Sequence, residues 1–346
     1  MRCEDPLFLT RRDVAELLTL DECIAAVHHA FRLHGQGLAA RPGILGLHVD
    51  GGGFHIKAGV LPSARSPHPY FAAKINANFP GNPRIGLPLI QGVIALCDAE
   101  NGAPLALMDS IEITVLRTGA ATAVAAKHLA REDARVAAIV GCGNQGRIQL
   151  RSIASVRQIT QAFAFDENAD RAAAFAPEMS AALGIAVHAV PDPALATTQS
   201  DIVVTCTPSR RAFLGREHVR PGTFVAAVGA DSEDKQELEP ALMAASIVVV
   251  DVLEQCATIG DLHHAIEAGL ATRASVHAEL GEVVAGKKPG RRAPDEVIVF
   301  DSTGMALQDV AAAVAVYEKA CAAGAGTRLH LNGRARTPWW LAPGIR

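Results

Sequence analysis

The apolar positions of the chain change period twice. Over residues 13–35, Val14, Leu17, Leu18, Ile24, Val27 and Phe31 recur at helical spacing. Thr10 is placed to cap this stretch, and the polar step at 19–21 divides it into two short helices. From Gly43 to Asp98 the period shortens. The runs 44–49, 54–60, 70–77 and 90–97 alternate with turns rich in Gly and Pro, which predicts an antiparallel sheet. Asn101-Gly102 predicts a hairpin turn between 93–97 and 104–108. Residues 114–129 read as a helix of Ala, Thr and Val, small enough on its surface to let another backbone come close.

A second regime starts at Arg135. The apolar run 135–140 reads as a buried strand, followed by Gly141-Cys-Gly-Asn-Gln-Gly146 and a helix. Strands at 159–165, 185–190, 201–206, 223–228, 247–252 and 297–300 alternate with helical or loop segments, the clearest helix being 169–183. Such alternation predicts a parallel, doubly wound sheet. A last helix covers 305–323. The predicted fold class is therefore α/β: a Rossmann sheet plus an α+β domain.

Composition narrows the function. The 346 residues suit about two domains. A net charge of −4 gives no broad attraction to nucleic acid or anionic membranes. No apolar run approaches the ~20 residues of a membrane span. The first ten residues carry Glu4 and Asp5 and lack the apolar stretch of a signal peptide. Seven scattered cysteines, none as Cys-x-x-Cys, predict reduced thiols in a cytoplasm and no zinc framework.

The glycine loop follows a strand and opens a helix, the context a dinucleotide requires. Gly141 permits the tight turn, Gly143 lets the backbone approach a pyrophosphate, and Gly146 lets the helix rest on the strand. Asn144 and Gln145 complete the loop at the helix N-terminus, where unpaired N–H groups face the phosphates. Asp166 lies 20 residues past Gly146, where a carboxylate bonds a ribose 2′-hydroxyl and repels a 2′-phosphate. NAD is the expected cofactor; nearby Arg171 leaves NADP as the alternative. A glycine turn of another αβ protein, with Asp166 as a helix cap, is the competing reading.

Three polar residues stand in apolar surroundings. Lys74 shares a strand face with Ala72 and Asn76: either a functional cation or a lysine snorkelling at an edge. Arg117 opens the Ala-rich helix: either a bidentate carboxylate clamp or half of a structural ion pair. Asp231 ends a strand, where αβ sheets place ligands, but a capping aspartate fits too. His55 and Lys57 alternate onto one face and divide evenly between substrate contact and strand surface. His263-His264 reads as helix surface, and Cys142 as a small filler. No metal site is expected.

With these residues in place the chain resembles the ornithine cyclodeaminase/mu-crystallin family from about Leu7 to Ala323. The resembling segments are residues 74–83, 86–88, 106–110, 116–123 and 141–146. They continue with Val228-Gly-Ala-Asp231, Lys235-Gln-Glu-Leu238, Gly260-Asp-Leu262 and Asp301-Ser-Thr-Gly304. The resemblance implies a discontinuous substrate and dimerisation domain of residues 1–125 and 305–346, around an NAD(P)-binding Rossmann domain of 126–304. It implies a homodimer joined through the N-terminal sheets. It assigns Lys74 and Arg117 to the substrate carboxylate and reacting centre, Arg41 as a further carboxylate-binding arginine, and Asp231 to acid–base chemistry. Thr207, Val228, Ser302 and Gly304 fall at the implied cofactor site. The implied substrate is a small amino or imino acid. Cyclodeaminases of the family carry a glutamate near the end of the second strand; here Ala58-Gly-Val-Leu-Pro62 holds no carboxylate. That departure favours a ketimine reductase or amino-acid dehydrogenase over an ornithine or lysine cyclodeaminase. A non-catalytic binding protein of the mu-crystallin kind is the further alternative.

Overall fold

The computed structural model describes residues 5–40, 42–62 and 68–330. Arg41 and the pair Trp339-Trp340, noted in the sequence, lie outside them. The first half runs β1 (Leu7–Leu9), α1 (Arg11–Leu17), α2 (Leu20–Gln36), β2 (Gly43–Val49), β3 (Gly52–Leu61), β4 (Tyr70–Asn78), β5 (Ile90–Asp98), β6 (Pro104–Asp109) and α3 (Ile111–Leu129). The break between α1 and α2 is built from caps. Thr10 and Thr19 each begin a helix with a capping box, partnered by Asp13 and Glu22, and Gly37 ends α2 at a φ of 77°. The second helix is longer than expected, because Val27, Ala30, Phe31 and Leu33 keep one buried face to its end.

The second half contains β7 (Val136–Val140), α4 (Asn144–Val156), β8 (Gln161–Phe165), α5 (Ala169–Leu183), β9 (Ala186–Ala189), α6 (Pro193–Thr197) and β10 (Ile202–Thr205). It continues through β11 (Arg210–Leu214), β12 (Phe224–Ala227), β13 (Gln236–Leu238), α7 (Pro240–Ala245), β14 (Ile247–Val250), α8 (Leu253–Ile259) and α9 (Asp261–Glu267). The chain then forms β15 (Ala278–Glu279), α10 (Leu280–Val284), β16 (Ile298–Asp301), α11 (Ala306–Ala323) and β17 (Thr327–Arg328).

Two large sheets result. The first has the order β17-β1-β6-β5-β4-β3-β2. It is antiparallel as expected except that β1 lies parallel to β6. The hairpin at Gly102 (φ 77°) joins β5 to β6. The second sheet has the order β15-β14-β16-β12-β10-β7-β8-β9, and every pair in it is parallel. Its strand order reverses direction between β7 and β10, and a crevice at such a switch point is where open αβ sheets bind ligands. A small pair, β11 with β13, was not expected from the sequence.

Helix α3 joins the two halves. A Cβ at Gly119 would sit 2.4 Å from the Ser152 hydroxyl of α4, so the Ala-rich surface does permit the close approach expected of it. Helix α11 returns to the first sheet and covers its inner face: a Cβ at Gly59 of β3 would meet Leu307 at 2.8 Å. One thiol departs from expectation. Cys321 on α11 is disulfide-bonded, whereas Cys23, Cys97, Cys142, Cys206 and Cys256 are free.

Candidate active site

The inner face of β4 carries Lys74, and strand pairing sets Lys57 of β3 directly beside it. Both ammonium groups are buried. Period-2 alternation made Lys57 and His55 share a face; the sheet shows that face to be the inner one. Lys57 Nζ donates to the carbonyls of Thr303 and Gly304 at 2.8 and 2.7 Å. Lys74 Nζ donates to Asp309 Oδ1 at 2.8 Å. Arg117, nearly two turns into α3, brings its Nε to the same oxygen at 3.1 Å and donates from Nη1 to Gln308 Oε1 at 3.1 Å. Three cations therefore converge where α11 begins.

Neither Asp309 nor Gln308 was singled out from the sequence. The first turn of an otherwise apolar helix was the available signal, since buried cations need a buried anion. Asp309 Oδ2 and Gln308 Nε2 are buried without hydrogen-bond partners. Burial together with Arg117 pushes the Lys74 ammonium down to about 7, against the pull of Asp309. Burial and Arg117 also lower Lys57. Burial opposes the charge on Asp309, but Lys74 and Arg117 outweigh it and hold the carboxyl below its ordinary value.

The Rossmann sheet supplies the other wall. Gly141 ends β7 at a φ of 107°, and a Cβ there would lie 2.9 Å from the Cys206 carbonyl. A Cβ at Gly146 would strike the Gly141 carbonyl at 2.2 Å, whereas one at Gly143 would meet open space. Helix α4 starts at Gly143 with no side-chain cap, so its first amides, at exposed Asn144 and half-buried Gln145, keep their donors for a ligand. Close backbone packing with free amides at a helix start is a geometry able to hold a pyrophosphate. Asp166 stands just past β8. Its Oδ2 accepts the Cys142 amide at 2.9 Å and its Oδ1 the Asn168 amide at 3.0 Å. It thus braces the glycine loop from the end of the second Rossmann strand. Arg147, unremarked in the sequence, holds the same loop from the opposite polarity, donating to Cys142 O at 2.7 Å while paired with Glu178. Burial and Asp166 push the Cys142 thiol up to about 12, which suits a filler.

Thr207 follows β10, Val228 follows β12 and Ser302–Gly304 follow β16, so all reach the same edge. The last of these turns is anchored by Asp251 beyond β14. Its Oδ2 accepts the Gly304 amide at 2.6 Å and the Ser302 hydroxyl at 3.1 Å. Gly304 adopts a φ of 86°, and a Cβ there would lie 2.5 Å from Arg117 Nη1. One turn thereby touches both the cofactor edge and the cationic cluster.

Asp231 lies four residues past β12. It is not part of the Lys74–Arg117–Asp309 cluster. Its Oδ1 pairs with Lys235 Nζ at 2.5 Å, and 52% of its side chain is accessible. Desolvation opposes its charge, but Lys235, Lys57 and His55 outweigh it and keep the carboxyl below its ordinary range. His55, half-buried on β3, is lowered by burial against the opposing pull of Asp231. His263, His264 and Glu267 bring their donor atoms within 4.8 Å of one another, but His264 Nε2 is occupied by the Lys235 carbonyl at 2.9 Å.

Comparison with known proteins agrees with this arrangement. The family model described as the ornithine cyclodeaminase/mu-crystallin family matches residues 4–324. An archaeal alanine dehydrogenase dimer with bound NAD superposes with a TM-score of 0.88 at 37% identity, over 94% of this chain and 99% of that one. The Delta(1)-pyrroline-2-carboxylate reductase of Thermococcus litoralis, in complex with NADH and L-proline, gives 0.88 at 36% identity, over 93% and 100%. The iminosuccinate reductase of Paracoccus denitrificans, in complex with NAD+, gives 0.87 at 31% identity, over 94% and 99%. The match of the family model to almost the whole chain, together with these superpositions, shows that the chain belongs to the ornithine cyclodeaminase/mu-crystallin family.

Proposed function

We propose that the chain is an NAD(H)-dependent oxidoreductase acting at the carbon–nitrogen bond of a small amino or imino acid, as a ketimine reductase or amino-acid dehydrogenase. The observation that carries this reading is the convergence of Lys74 and Arg117 on the buried Asp309 carboxylate, with Lys57 beside them holding the Thr303–Gly304 carbonyls. The cluster of Lys74, Arg117 and Asp309 holds two cations against one anion, so a substrate carboxylate completes its charge balance. Arg117 offers a planar pair of donors for it, and Lys74 keeps two N–H groups beyond the one given to Asp309. Together they fix the reacting carbon against the cofactor edge. Arg41, outside the described residues, is a further carboxylate contact in this reading.

The glycine cradle, the uncapped start of α4 and the carboxylate of Asp166 suit NAD, and the NAD and NADH complexes of the relatives support that choice. Bound there, the nicotinamide supplies or accepts hydride. Gly141, Gly143, Asn144, Gln145 and Gly146 would hold the phosphates, Asp166 the ribose, and Thr207, Val228, Ser302 and Gly304 the nicotinamide half. Asp231 exchanges the proton on the substrate nitrogen. Ionised, it takes that proton in oxidation; protonated, it gives one to the nitrogen in reduction. Lys57 fixes the Thr303–Gly304 backbone so that the two halves of the site keep their spacing.

The run 58–62 of β3 holds no carboxylate for a distal ammonium group. The purified protein should therefore change the absorbance of added NAD(H) during turnover, on a panel of 2-oxo acids with ammonia or amines and of cyclic imines. Ammonia and a cyclic imino acid released stoichiometrically from ornithine or lysine, with no net cofactor change, would establish a cyclodeaminase instead. Cofactor binding without turnover on the whole panel would leave a binding protein.

Asp166 should set cofactor choice. Asp166→Ser should weaken NAD(H) and improve NADP(H), measured as the ratio of kcat/KM for the two. A tenfold preference of the wild type for NADPH would contradict this assignment.

The domain division in this reading is 1–125 with 305–346, and 126–304. Strand β2 ends the first sheet with an unpaired edge, and Ile44, Leu45, Leu47 and Val49 on it are exposed, as are Ile75 and Val93 nearby. Such an edge and patch need a cover. The expected cover is a second copy of the chain, as in the dimeric relative, and light scattering at micromolar concentration should report a homodimer. Among the described residues no helix is long and apolar enough to cross a membrane. Among the described residues five cysteines are free, in keeping with a reducing cytoplasm, and the bonded Cys321 is the exception; cell fractionation tests the cytoplasmic location.

A further inference from the structure

Glu237 on β13 is wholly buried, yet both of its carboxylate oxygens are fully engaged. Oε1 accepts the Thr207 amide at 2.6 Å and the Thr207 hydroxyl at 2.7 Å. Oε2 accepts the Thr205 hydroxyl at 2.7 Å and the Gly229 amide at 2.9 Å. These donors belong to the ends of two neighbouring strands, β10 and β12. The contact is close: a Cβ at Gly229 would lie 2.4 Å from the Thr207 carbonyl and 2.5 Å from the Glu237 carboxyl carbon.

Glu237 is itself held from behind. Asp261 Oδ1 accepts the amides of Glu237 and Leu238 at 2.8 and 2.9 Å. Asp301 Oδ2 accepts the Leu262 amide at 2.9 Å, and a Cβ at Gly260 would collide with the Asp301 carboxylate at 2.5 Å. The acids of the 235–238, 260–262 and 301–304 segments are thus a buried brace, with Glu237 at its forward end. Burial and Asp261 push the Glu237 carboxyl up to about 7, against its donors. Holding an anion there is costly, and four donors are what offsets the cost.

The brace ends beside Asp231. The Val228 amide still bonds to the Thr205 carbonyl at 2.9 Å as the strand ladder closes. Beyond it, the Gly229 amide on Glu237 ties the turn to the framework before Asp231. Asp231's own partner, Lys235, lies on the same loop and is tied by His264 at the far side.

We propose that Glu237 is a positioning residue that fixes the 229–231 turn, and so aims the Asp231 carboxylate at the substrate nitrogen. This rests on the reading of Asp231 as the acid–base group. A glutamine at 237 has one acceptor oxygen and one NH2 group. The amides of Thr207 and Gly229 bond to different oxygens, so one of them must then face a donor. Glu237→Gln therefore cuts a tie without opening a cavity.

The test is a double-mutant cycle on the full-length protein. Glu237→Gln should lower kcat at least tenfold and change the substrate KM less than threefold. Hydrogen exchange of the 228–235 segment, measured without cofactor, should be faster than in wild type. Because Glu237 acts through Asp231, the pair Asp231→Asn/Glu237→Gln should be within twofold of Asp231→Asn alone. Wild-type kcat in Glu237→Gln, or losses that multiply in the double variant, would overturn the proposal while leaving Asp231 in place. A wild-type kcat in Asp231→Asn would remove the underlying reading and the proposal with it. If Glu237→Gln does not fold, Thr205→Val removes one donor from Oε2 and should show the same pattern with a loss of at least threefold; no loss there overturns the proposal.

Discussion

Replacing Arg117 by alanine should lower kcat/KM for the amino or imino acid by roughly 100- to 1000-fold, a loss of about 3–4 kcal/mol in transition-state stabilisation. The guanidinium is buried, engages Gln308 and Asp309 together, and sits against Gly304. Its loss removes a planar donor pair, leaves Asp309 to Lys74 alone and frees Gln308 Oε1. Arg117→Lys should recover little, because an ammonium cannot reproduce the fork. The melting temperature should fall as well, since the variant breaks a buried ion cluster. Steady-state kinetics with calorimetry separates the two effects: the loss in kcat/KM should persist at temperatures where the variant is fully folded. Activity within tenfold of wild type would show that the carboxylate is held elsewhere.

Asp231→Asn should lower kcat by about 100-fold or more, the usual scale for removing a general acid–base group, while the substrate KM stays near wild type. The side chain is half exposed and its pair with Lys235 is short in sequence, so stability should change by no more than about 1 kcal/mol. Neighbouring cations hold its carboxyl below the ordinary range. The oxidative rate should therefore be supported by the ionised form down to mildly acidic pH, and the asparagine variant should lose that dependence. The pH profile of kcat in the oxidative direction checks both points.

Much of this architecture was legible because local rules and tertiary fold agree. The strand feeding Gly141, the uncapped helix behind Gly143 and the position of Asp166 follow from backbone geometry within a short stretch of chain. Lys74 and Arg117 stood out because charge in apolar surroundings demands a partner. The partner itself was not legible: Asp309 lies 235 residues from Lys74, on a helix whose period speaks only for its apolar face. Alternation gave Lys57 a face but not its side, since the two faces of β3 differ only in what packs on them later. The strands β1, β13, β15 and β17, of two or three residues, are too short for a periodic signal and exist through pairing, while β11 opens on Arg210 and Arg211 and shows no apolar run of strand length. Glu237, Asp261 and Asp301 read as ordinary polar residues near turns, because a carboxylate that braces backbone amides leaves no local trace.

The turn at 302–304 is bonded to Asp251 on one side, gripped by Lys57 on the other, and pressed against Arg117 at Gly304. In the proposed arrangement this turn lies between the cofactor and the amino acid, so neither can shift it without the other. Any displacement the first ligand makes in the turn is felt by the second as a change in affinity, and the thermodynamic square requires the same factor in the reverse direction. Amino acid should thus tighten or loosen cofactor by the factor with which cofactor tightens or loosens amino acid.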